Sequence, residues 1–236
     1  MSKTSSALGA VLALVGGLLL AASWWLIFMY APTEAIMGEI QKIFYIHLPL
    51  SWWALASFLV VFVASIAYLV RGGDHWDRLS QALVEVGLLF TTLTLVTGML
   101  WGRKAWGVWW TWDPRLTTAL ILWFIYMGYL LLGSLNLSSG RRKMVRAVLG
   151  IIAFADVPLV FFSARLWRSI HPAVFASEGG GLEPEMKLVA LFSVAAMGVF
   201  WLGLVLARTN QLAAKERVEE LLFLAQNREE QNGNTE

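Results

Sequence analysis

An all-α integral membrane bundle of six helices is the fold class this sequence predicts, and three observations predict it. Hydrophobic residues make up 58% of the 236 residues and charged residues 14%, with a mean hydropathy of +0.64, whereas soluble domains carry roughly a quarter charged residues. Six apolar runs, at 7–30, 51–70, 79–100, 117–137, 147–164 and 187–207, are each long enough to cross a hydrocarbon core of about 30 Å as a helix, the form that satisfies its own backbone in lipid. The basic residues between the runs are unevenly shared. With both chain ends in the cytoplasm, the segments 71–78 and 138–146 and the two termini hold eleven Lys and Arg against seven on the other side, the direction of the positive-inside rule. The predicted topology is therefore N-in, C-in.

The first run follows Lys3, and Ala21-Ala22-Ser23 loosely imitates a signal cleavage site. The apolar stretch continues through Trp24, Trp25 and Tyr30, longer than the core of a signal peptide, so an uncleaved helix is expected. Glu85 in the third run and Asp156 in the fifth are carboxylates at membrane depth, which makes them functional candidates. The favoured reading is structural, as hydrogen-bonded groups between helices, with Thr91, Thr92 and Thr94 adding polar contacts. Pro158 is expected to kink the fifth helix. Residues 1–207 form the membrane domain and 208–236 a cytoplasmic tail. In that tail Leu212, Val218, Leu221, Leu222 and Ala225 recur at helical spacing before a polar, disordered end, so it either continues helix six or lies on the inner surface.

There is no cysteine, which excludes disulfides, thiolate metal sites, thioether attachment of a cofactor to this chain and thiol catalysis. A net charge of +2 with no basic domain offers nothing to nucleic acid. The bilayer is the partner that composition demands.

The outer segments, about 31–50, 101–116 and 165–186, carry the informative residues. Five tryptophans crowd WGRKAWGVWWTWDPRLT between Trp101 and Trp112. Interfacial belts place indoles on both faces of a membrane, but here Trp24, Trp25, Trp52, Trp53 and Trp167 share the outer side with those five, while Trp76 is the clear inner example. A one-sided, non-helical run of indoles reads as a platform for a flat apolar ligand. Lys42, Arg103, Lys104, Arg115, Arg165, Arg168 and Lys187 lie on the same side against the charge rule, which an anionic ligand head group would explain.

His47 and His171 flank the tryptophan run, each near a proline, Pro49 and Pro172, that restricts the local backbone; His75 reads as a solvated loop residue on the inner side. Zinc takes three or four protein ligands, so two histidines fall short unless Glu34, Glu39 or Glu178 joins them. Haem supplies four nitrogens of its own and leaves two axial positions that imidazoles fill. It is also flat, apolar on its faces and anionic at its propionates. Asp113, between Trp112 and Pro114, is placed to cap the following helix or to orient Arg115.

The segment WGVWWTWDPRLT resembles the tryptophan-rich WWD signature of the haem-handling proteins of cytochrome c maturation. Length, six spans and the order His47, tryptophan loop, His171 are similar to the haem exporter protein C (CcmC) family over essentially the whole chain. The larger relatives CcmF and CcsA act as haem lyases and have more spans. The resemblance implies a binding subunit, not an enzyme, that holds haem b non-covalently and transiently at the periplasmic face of a bacterial inner membrane and presents it to the chaperone CcmE. It implies a CcmABCD complex, with CcmD and the transporter pair CcmA and CcmB as partners and ATP hydrolysis in CcmA. By that resemblance His47 and His171 are the axial ligands of the haem iron, and Trp106, Trp109, Trp110, Trp112 and Asp113 belong to the haem-binding loop. Arg103 and Arg115, with Lys104 and Arg168, serve either propionates or lipid phosphates. Two rival functions are a haem-b electron-transfer subunit, whose ligands should lie within spans, and a transporter moving haem or another solute through its own bundle, which should show internal repeats. No such repeat is evident.

Overall fold

The computed structural model describes residues 3–135, 137–167 and 182–233. Among these the regular secondary structure is helical, with one isolated β-bridge between Glu34 and Gly38 in a connection. The helices are α1 (Lys3–Trp25), continued by a π-helical turn at Leu26–Tyr30, α2 (Phe44–Arg71), entered through a 3₁₀ turn at Glu39–Ile43, α3 (Asp74–Ala105), α4 (Pro114–Leu131), α5 (Ser139–Ala153), α6 (Asp156–Leu166) and α7 (Pro184–Gly233). Six stretches are long and apolar enough to span a membrane, α5 and α6 together forming the fifth. The chain is a multi-pass membrane protein built as a six-helix bundle.

The connections among the described residues are shorter than the hydropathy pattern suggests. Between α2 and α3 only Gly72 and Gly73 are non-helical, both at positive φ, a conformation that glycine adopts without Cβ strain. The basic cluster of 138–146 is not a loop. Arg141, Arg142, Lys143 and Arg146 lie on the opening turns of α5. Pro158 has no N–H to give the Phe154 carbonyl, and Val157 donates to that carbonyl instead, at 3.1 Å. The fifth span therefore breaks at Phe154 and Ala155 rather than bending. The tail continues α7 without interruption as far as Gly233, the first of the two arrangements expected for it.

Small residues let α1 and α7 meet closely and antiparallel. A Cβ added at Gly16 would fall 2.4 Å from the Phe200 Cα, and one at Gly203 2.3 Å from the Ala13 backbone nitrogen. The hydroxyls of Ser23 and Ser193 share a hydrogen bond of 2.7 Å in the same seam. Without a hydrophobic driving force between helices in lipid, such close backbone approach and buried hydrogen bonds are what hold them. On the other side of α7, the indole of Trp53 donates to the Val194 carbonyl at 2.8 Å and stacks on Trp201 with centroids 4.8 Å apart. A core of Phe58, Val61, Leu83, Leu122 and Tyr126 lies between α2, α3 and α4.

The end of the bundle where the long α7 extension emerges is fastened by ion pairs. Arg146 donates to Asp77 at 3.3 Å and to Gln81 at 3.1 Å, the two charged side chains being 9% and 4% exposed. Arg78 reaches Glu216 at 2.7 Å and Lys143 reaches Asp74 at 2.8 Å. Glu85 accepts from both the Nε and the Nη2 of Arg208 and from Gln81, so the structural reading holds for this carboxylate. Asp156, by contrast, is buried in the first turn of α6, and its Oδ2 meets no hydrogen-bond donor among the described residues.

Candidate functional site

The other end of the bundle carries the connections 31–38 and 106–113 and the candidate ligands. Here α3 runs on to Ala105, further than the apolar pattern indicates, so Trp101 is helical and 4% exposed, packed with Phe44 and Tyr45. It is packed in the core and also lines the cavity described below. The non-helical part is Trp106 to Asp113, and it contains one turn at Gly107, where φ is +77°. The Arg103 guanidinium donates to the Gly107 carbonyl and lies 5.9 Å from the Trp109 ring centroid, holding that turn to the end of α3.

The loop ends at a helix cap. The Asp113 carboxylate accepts from the Arg115 backbone N–H at 2.9 Å, and Pro114 occupies the first helical position of α4, where its missing donor is not needed. Of the two roles expected for Asp113, capping is the one this bond displays. The cap aims the start of α4 so that Arg115 comes to the cavity wall, with its Nη2 donating to the Phe161 carbonyl at 3.2 Å.

A cavity of about 180 Å³ lies between α2, α3, α4 and α6. His47, Trp106, Trp110 and Arg115 face it at the level of the loop, and Trp52, Leu95, Ala119 and Phe161 line it deeper in the membrane. His47 is in the first turn of α2, inside the second span rather than in a loop. Its Nδ1 is 3.0 Å from the Thr97 hydroxyl of α3, and its ring lies edge-on to Trp101 with centroids 6.2 Å apart. The Trp106 indole rests over Gly102, where a Cβ would come within 3.3 Å of the ring. Trp110 meets Trp112 edge to face at 5.9 Å. Trp109 and Trp112 turn outward, Trp112 being 76% exposed.

Of the residues singled out in the sequence, the structure brings His47, Trp52, Thr94, Trp101, Trp106, Trp110 and Arg115 to one cavity. Arg103, Trp109, Trp112 and Asp113 form the outside and the frame of the loop. His171 and Arg168 lie outside the described residues. The one-sided tryptophan set divides in the same way. Trp24, Trp25, Trp52 and Trp167 are exposed on the flanks, and Trp53 and Trp101 are packed inside. Among the described residues no group of three His, Asp or Glu is gathered as a metal site would require. Apart from Trp52, the deeper wall went unseen in the sequence because its residues are ordinary apolar and small ones. Thr97, the hydrogen-bond partner of His47, is one of four threonines in TTLTLVTG, with no motif to mark it.

The sequence model of one family, Heme exporter protein C, matches residues 1–223. The chain belongs to the haem exporter protein C family. It is 32% identical to the Heme exporter protein C of Bradyrhizobium diazoefficiens over 200 residues, 84% of this chain and 76% of that one. The corresponding protein of Escherichia coli strain K12 is 29% identical over 203 residues, covering 85% and 82%. A ccmC-like mitochondrial protein named for cytochrome c biosynthesis, from Marchantia polymorpha, is 31% identical over 174 residues, 74% of each chain. For this member of the haem exporter protein C family, cavity chemistry and family agree. An imidazole, four indoles and one guanidinium around an apolar hollow suit a flat, apolar ligand with a metal centre and anionic edges.

Proposed function

We propose that this protein binds haem b non-covalently at the cavity end of the bundle and presents it to the haem chaperone CcmE during cytochrome c maturation. The observation that carries the reading is that His47 and Arg115 share one apolar cavity with Trp106 and Trp110. Haem here is cargo. His47 supplies one axial nitrogen and His171 the other, the indoles offer apolar surface, and Arg115 pairs with a propionate. Trp109, Trp112 and Asp113 of the loop, with Arg103 at the end of α3, hold the loop in place. The cavity end faces the periplasm of a bacterial inner membrane and the ion-paired end the cytoplasm, the orientation in which the basic residues of α5 and α7 lie inside. On this reading the chain is a transfer subunit of a CcmABCD complex rather than a catalyst. CcmD and CcmB are its membrane partners, and CcmA hydrolyses ATP.

A pyridine haemochrome assay of purified protein, with and without coexpressed CcmE, tests the presenting role. Haem b accumulating on the chain only when CcmE is absent supports it, and equal haem content in both preparations contradicts it. One observation favours a second reading, a haem-b electron-transfer subunit: His47 lies within a span, where such ligands belong. Quinol oxidation linked to haem reduction in the purified protein would select that reading, and no turnover is expected.

A further inference from the structure

We propose that Thr97 is a positioning residue for haem capture: its hydroxyl holds His47 in the Nδ1–H tautomer and leaves the Nε2 lone pair as the ring's donor to iron. The inference deepens the function proposed above and rests on His47 being a haem ligand.

The argument begins with a single proton. A threonine hydroxyl has one O–H to give and two lone pairs to receive. The Thr97 hydroxyl lies 2.8 Å from the Leu93 carbonyl and 3.1 Å from the Thr94 carbonyl, both in the preceding turn of α3. A carbonyl only accepts, so the hydroxyl proton is committed to the helix backbone. The third neighbour of that oxygen is His47 Nδ1, at 3.0 Å, and with the proton already given the oxygen can only accept from it. A neutral imidazole has one N–H, so placing it on Nδ1 leaves the lone pair on Nε2.

Gly98 completes the seat. A Cβ there would lie 3.3 Å from His47 Cε1, tighter than most side-chain contacts, and at an ordinary 3.8 Å from Nδ1, so the missing side chain eases the approach of the ring to hydrogen-bond distance of Thr97. Two adjacent residues of α3 thus act on one imidazole, Thr97 by its lone pair and Gly98 by the space it leaves. Metal-ligating histidines typically donate their other ring N–H to such a partner, which fixes the ring and raises its basicity. Because α3 is continuous through this point, the partner is delivered by a rigid element rather than by a loop.

The test combines nitrogen NMR of the haem-free protein with haemin titration. Full-length protein labelled with ¹⁵N-histidine, in detergent at alkaline pH, gives the tautomer of His47, its signals assigned by their loss in His47→Ala. The expected result is Nδ1–H in the wild type and in Thr97→Ser, with haemin bound by Thr97→Val about tenfold more weakly and by Thr97→Ser within about twofold of the wild type. An Nε2–H tautomer in the wild type, which needs no variant to fold, would overturn the proposal. Wild-type haemin affinity in a folded Thr97→Val would do the same. His47→Ala binding haemin as tightly as the wild type would instead overturn the ligand reading beneath it, whatever the tautomer.

Discussion

At the ion-paired end of the bundle Arg78, Arg146, Lys143 and Arg208 each meet a carboxylate on another helix. At the cavity end Arg115 meets the Phe161 carbonyl, and Lys42 pairs with Glu39 three residues away in its own turn and lies over the Phe28 ring. The first end joins α3, α5 and α7 by long-range charge pairing. The second is shaped by packing, one helix cap and one guanidinium folded back on its own loop. The pattern separates an end fastened by charge from an end that holds the candidate cavity.

The largest way to break this contrast is Arg146→Ala. It leaves the Asp77 carboxylate buried without its partner, and such truncations cost about 3 kcal/mol. The expected outcome is a clear fall in thermal unfolding temperature in detergent with haemin affinity unchanged; a loss of affinity without loss of stability would mean that the two ends do not divide their roles. Next in size is a comparison inside the tryptophan loop. Trp110→Ala removes an indole from the cavity and is expected to weaken haemin binding about tenfold, roughly 1.4 kcal/mol, whereas Trp112→Ala, on the exposed side, is expected to change it little. Equal effects in the two titrations would restore the reading of the whole run as one platform. The smallest effect is expected from Asp113→Ala, which removes the α4 cap at about 1 kcal/mol. Asp113→Asn should recover most of that stability in a thermal melt, since an amide oxygen caps almost as well.

The six spans were legible because long apolar runs have few alternatives in a chain this hydrophobic. What the hydropathy pattern could not show is where charged residues stay helical. Arg142, Lys143 and Arg146 read as a loop because charges usually mark the ends of spans, but Lys143 and Arg146 meet partners in α3 and α7 from within the helix, and Arg142 folds back to the Leu137 carbonyl. Trp101 read as part of the platform, and its packing with Phe44 and Tyr45 shows that the same indole serves the core as well as the cavity wall. His47 was legible as a candidate but not its setting in the first turn of α2, because Pro49 suggested a rigid loop, whereas it stands inside that helix. Thr97 was invisible, because one of several threonines in TTLTLVTG gains meaning only from the ring across from it.

The most direct test of the account is an optical titration of the purified protein with haemin, beside His47→Ala and Arg146→Ala. The account predicts a six-coordinate, bis-histidine spectrum in the wild type and in Arg146→Ala, lost in His47→Ala. The same spectrum in all three proteins would contradict it.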